Sequence, residues 1–145
     1  MKTIIIVSAF LFSIQAFACP DLSGAYLDKN NESVILSQKG CEEASIISRP
    51  ITFKLLLDNV FTVVQDDADL KALGRGIFVD QEMVVEVKIE YKRDQGIPQI
   101  LLPVRGVNKY SQTASGDLLE KSVIYNKFNG VLANTKTTYR RDLTQ

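Results

Sequence analysis

The stretch that decides the fold is EMVVEVKIEY, residues 82–91. Met83, Val85, Val87, Ile89 and Tyr91 take every second place, with Glu82, Glu86, Lys88 and Glu90 between them. Only Val84 interrupts the polar side. An apolar residue at every second position is the signature of a strand with one wet face, its odd residues turned inward. A helix would require spacings of three and four, which this run lacks.

Working outward, the same period marks Val34 to Gln38, Ala44 to Ser48, Thr52 to Leu57, Val60 to Val64 and Ile77 to Val79 as strands. Between the candidate strands lie Lys29-Asn30-Asn31, Lys39-Gly40, Asp58-Asn59, Asp94-Gln95-Gly96 and Ser115-Gly116-Asp117, all rich in residues that tolerate turn dihedrals. Asn129-Gly130 reads as a hairpin of the type I′ class. Asp67 to Leu73 lacks alternation and reads as a short helical turn. Gly74-Arg75-Gly76 reads as a bend before the strand at Ile77. Many strands with short connections form an antiparallel meander, and a meander hides its edges by closing. The expected fold is therefore all-β: an antiparallel up-and-down β-barrel of about eight to ten strands.

The chain begins with Lys2, then an apolar run from Ile4 to Phe12, then Ala16-Phe17-Ala18. This is the pattern of a secretory signal peptide cleaved after Ala18, leaving residues 19–145 as one domain. No later segment is long and apolar enough to cross a bilayer as a helix. A secreted or periplasmic location follows. Cys19 and Cys41 are the only two cysteines. Acylation of Cys19 would strand Cys41 as a free thiol, and Ala16 and Phe17 fit poorly before a lipidated cysteine. A Cys19–Cys41 disulfide is the better reading for an oxidising compartment.

In the last strand, Val131 to Arg141, the odd face carries Thr135, Thr137 and Tyr139 and is the less charged side, so it points inward. Buried hydroxyls need partners, and such a lining suits a barrel that holds a small molecule or water better than one with a solid core. Phe78, Tyr91, Tyr125, Thr135, Thr137 and Tyr139 are the candidate lining of an amphipathic cavity.

Gly24-x-Tyr26 near the mature start and Tyr139-Arg140-Arg141 at the end resemble the calycins, the lipocalin-like secreted barrels. Lipocalins open with Gly-x-Trp and lay an arginine of the last strand across that ring. The resemblance implies that Gly24 and Tyr26 begin the first strand, that Tyr26 replaces the tryptophan, and that Arg141, or Arg140 after a bulge, closes the floor. The chain departs from that pattern in having no tryptophan. The opening is also similar to that of the avidins, whose biotin sites depend on tryptophans.

Composition excludes several classes. Lys and Arg total 17 and Asp and Glu total 17, so there is no net basic charge of the kind nucleic-acid binders carry. With no histidine, the usual general base and the commonest metal ligand are missing. No catalytic residues, metal or cofactor are expected. The cluster Asp66, Asp67 and Asp69 lacks the glycine and distal glutamate of a calcium loop and reads as a solvated turn. Asn31-Glu32-Ser33 fits a glycosylation sequon. Two functions follow as expectations. One is a barrel that binds a small apolar or amphipathic ligand. The other is a solid barrel acting through outer loops such as Ile97 to Tyr110, with its Ile100-Leu101-Leu102 run.

Overall fold

The computed structural model describes residues 19–48 and 51–144. Residues 1–18, read above as a signal peptide, lie outside them. Among the described residues the fold is all-β, with ten strands: β1 (Gly24–Leu27), β2 (Ser33–Lys39), β3 (Glu43–Ser48), β4 (Ile51–Leu56), β5 (Thr62–Asp66), β6 (Leu70–Val79), β7 (Glu82–Tyr91), β8 (Pro103–Gln112), β9 (Leu118–Asn126) and β10 (Val131–Arg141). Every ladder is antiparallel. The strand order, β4-β3-β2-β1-β10-β9-β8-β7-β6-β5, rolls into a nearly closed barrel.

The alternation in 82–91 sets the inside. Met83 and Val85 are fully buried and Val87 packs on the same core. Across the ladder their partners Tyr110, Asn108 and Gly106 share that inner face. Tyr26, Leu36, Ile46, Leu118 and Leu22 complete a packed floor at the end where β1 meets β10. Glu86 is an exception to the wet-face reading. It is buried on the outer face because Arg75 donates to it at 2.8 and 2.5 Å and Arg105 at 2.6 Å.

Three sequence expectations change. The segment Asp67 to Leu73 is no helical turn: Asp67 accepts from the backbone N–H groups of Asp69 and Leu70, and β6 begins at Leu70. Gly74-Arg75-Gly76 is no bend either but lies inside β6. A Cβ on Gly76 would stand 2.3 Å from Leu55 and 2.6 Å from Leu57, so its absence lets β4 pack directly on β6. The Asn59 N–H donates to the Gly76 carbonyl at 2.9 Å and fastens that closure. Finally, Pro103 to Tyr110 belongs to β8 between β7 and β9, so the true loop is 92–102.

The Cys19–Cys41 disulfide is present, with Cα atoms 5.5 Å apart. It ties residue 19 to the β2–β3 turn. β1 is short and meets β10 only at Tyr26–Arg141 and Leu27–Arg140. Above that point β10 pairs with β9 alone, and Asn134, Thr135 and Lys136 are exposed in succession.

Candidate functional site

Above the packed floor the inner wall changes character. Gly106 sits on the inner face between Val87 and Ile124, and a Cβ there would meet nothing within 4 Å. The glycines at 74 and 76, by contrast, are filled by neighbours. The barrel is therefore packed at one end, while at the level of Gly106 the inner wall leaves open space where a side chain could stand.

On the same inner face, four residues along β9 from the Ile124 that faces Gly106, stands Glu120. Its cross-strand partners are Tyr110 of β8 and Thr137 of β10, which places it on the inner face. The Tyr110 hydroxyl donates to Glu120 Oε1 at 3.0 Å and the Tyr139 hydroxyl donates to Oε2 at 2.7 Å. Asn108 Nδ2 donates to the Tyr110 oxygen at 3.3 Å. Burial pushes both phenols up, and the carboxylate that accepts from them pushes them further, so both stay protonated donors. The two oxygens of Glu120 are thereby fixed in direction by rigid side chains.

Two recesses approach the interior. One, about 310 Å³, lies where the β1–β2 turn parts from β10 and is lined by Asn31, Glu32, Ser33, Val34, Ser48 and Tyr139. The second, about 540 Å³, opens at the far end under loop 92–102, against Ile89, Tyr91 and Val104. That loop is anchored by Asn126 Nδ2 donating to the Ile100 carbonyl at 2.7 Å and by the Tyr91 hydroxyl donating to the Pro103 carbonyl at 2.9 Å.

The six residues expected to line a cavity separate into groups. Thr135, Thr137 and Tyr139 share the inner face of β10, opposite Ser122, Glu120 and Leu118 of β9. Phe78 pairs with Met83 and packs on the floor, while Tyr91 lies at the far mouth. Tyr125 is a correction. It pairs with Arg105 on the outer face, and the Arg105 guanidinium lies 5.1 Å from its ring centroid.

The residues expected to close the floor also depart in detail. Tyr26 is fully buried, its hydroxyl donates to the Leu22 carbonyl at 2.9 Å, and Gly24 lets its ring lie close, since a Cβ there would come within 3.2 Å. Arg141 stands opposite Tyr26 in the ladder, but its guanidinium donates to the Ser23 carbonyl at 3.2 Å and stays exposed. Among the described residues the cations over rings are Arg75 and Lys88 on Phe61 and Arg105 on Tyr125, not an arginine on Tyr26. Arg140 is exposed opposite Leu27.

Glu120 escaped the sequence reading because a glutamate in a strand is taken for its wet side. The signal was its parity, two residues from Leu118 and four from Ile124. Among the described residues no group of acidic or cysteine side chains is arranged to hold a metal, and no helix is long and apolar enough to span a membrane. Comparison with family models, curated proteins and solved structures gives no match.

Proposed function

We propose that the chain is an exported barrel that binds a small apolar or amphipathic ligand in its interior. The observation that carries this reading is Gly106, an inner-wall position with open space where a packed core would put a side chain. Around it the wall mixes Val87, Ile89 and Ile124 with Asn108, Ser122 and Thr135. That is the blend of apolar surface and few polar groups that ligand cavities use. Export is supported by the disulfide, which suits an oxidising compartment and leaves no free Cys19 thiol for acylation.

The test is Gly106→Leu. Its side chain enters unoccupied space, so stability changes by less than about 1 kcal/mol. Enhancement of 1-aminoanthracene fluorescence is expected with the wild type and should be lost in the variant. Native mass spectrometry of protein from its own export route should show a retained small molecule in the wild type and none in the variant. Equal dye binding by both proteins, with no retained species, removes the reading.

A second reading, contact through the outer loops, has its own support. Ile97, Ile100, Leu101, Phe128 and Val131 are about half exposed or more around the far mouth. Such a patch suits a contact surface. It survives if Gly106→Leu has no effect and Leu101→Ser with Phe128→Ser abolishes co-purification of a partner.

A further inference from the structure

Resting on the ligand-binding reading, we infer that the ligand carries a protonated amine and that Glu120, held by Tyr110 and Tyr139, receives it.

The chemistry of the walls is one-sided. The recess of about 310 Å³ beside Tyr139 is lined by one carboxylate, two hydroxyls, one amide, one phenol and one valine, with no lysine or arginine. Tyr139 links that recess to Glu120 through its 2.7 Å hydrogen bond. Asp28 and Glu32 add negative potential at the same phenol. The ion pairs among the described residues engage Glu43, Glu82, Glu86, Asp66 and Asp69, and none engages Glu120. Inward-facing charge is normally paired, because desolvating it alone is costly. Here the tyrosines supply one hydrogen bond to each oxygen and leave each with a second lone pair. An ammonium group, with three donors and no acceptor, fits those lone pairs.

Position completes the description of the ligand. Glu120 stands on the inner face next to the packed floor, and Val87, Gly106 and Ile124 follow farther along that face, with open space at Gly106, so the cationic head lies low and a short apolar body rises past Gly106. An acid of the same length would meet repulsion from Glu120. An alcohol would satisfy one lone pair without the charge.

The experiment is a calorimetric titration with octylammonium, octanol and octanoate on the wild type, Glu120→Gln and Gly106→Leu. Octylammonium binds the wild type at least about tenfold more tightly than octanol, since a hydrogen bond to a charged group exceeds one between neutral groups. Octanoate binds weakest. Glu120→Gln erases the preference for the amine and leaves octanol affinity unchanged, whereas Gly106→Leu weakens all three. If Glu120→Gln fails to fold, the wild-type comparison of octylammonium with octanol decides alone. Three equal affinities in the wild type, all weakened by Gly106→Leu, overturn the amine assignment and leave a barrel that binds apolar molecules. No binding of any probe overturns both.

Discussion

Three hairpin loops of this barrel share one construction. Asp28 to Glu32, Thr113 to Asp117 and Asn126 to Gly130 are each closed by a bond from the first residue's N–H to the fifth residue's carbonyl, at 3.0, 2.9 and 2.9 Å. In each, the fourth residue lies in the left-handed region: Asn31 at φ 62°, Gly116 at φ 87°, Asn129 at φ 61°. In each, the first side chain caps the fifth N–H, by Asp28 Oδ1, Thr113 Oγ1 and Asn126 Oδ1. This is the three-residue loop built on a type I turn with a left-handed residue, not the two-residue type I′ turn that Asn129-Gly130 implies. The buried Asn126 side chain decides between them, because it also accepts from the Phe128 N–H. The capping residue three places before Asn or Gly was there to be read in the sequence; taking Asn-Gly alone gave the right place and the wrong geometry. Asn129→Val places a β-branched residue at positive φ and should lower unfolding free energy by about 1–2 kcal/mol, with Asn129→Gly within about 0.5 kcal/mol of the wild type. Urea melts of the two variants check this.

At the scale of elements, the strands were legible where their inner residues are large and obscure where they are small. β7 announces itself through Met83, Val85 and Val87. β6 puts Leu70, Ala72, Gly74 and Gly76 on its inner face, so the alternation fades just where β4 and β5 crowd in. The information lay in the partner strands, which no local window contains. The outer faces of β6, β7 and β8 hold a second hidden relation, Glu86 between two arginines. Burial alone would raise that carboxyl, but the hydrogen bonds and charges of Arg105 and Arg75 outweigh it and hold it below the ordinary value of 4.5. A carboxyl whose folded pKa is depressed contributes stability above its unfolded pKa and loses it as pH falls through the folded one. Stability should therefore be level above about pH 5 and decline below 4.5. Glu86→Gln should flatten that decline and cost stability at neutral pH. Denaturation midpoints measured from pH 3 to 7 test both.

For the molecule as a whole, eight of the nine ladders among the described residues join sequence neighbours, and the ninth, β1 with β10, joins the ends. That ladder has two residue pairs, continued by the Asp142 N–H donating to the Ala25 carbonyl at 2.8 Å. The architecture could be foreseen from alternation and turns, but the gap above this seam could not, since it depends on β1 being four residues long beside a β10 of eleven. The seam also sets the order of assembly. Hairpins between neighbours close small loops and form early, whereas joining β1 to β10 closes a loop of nearly the whole chain for little return until the floor has packed. The last event in folding is then the first in unfolding. Asp142→Pro deletes the N–H that extends the seam without touching the floor. It should speed unfolding about fivefold and leave the refolding rate unchanged, the behaviour of a contact absent from the transition state. Stopped-flow rates decide the matter: slower refolding would mean that the ends of the chain meet early, and that the barrel is drawn shut before its wall is complete.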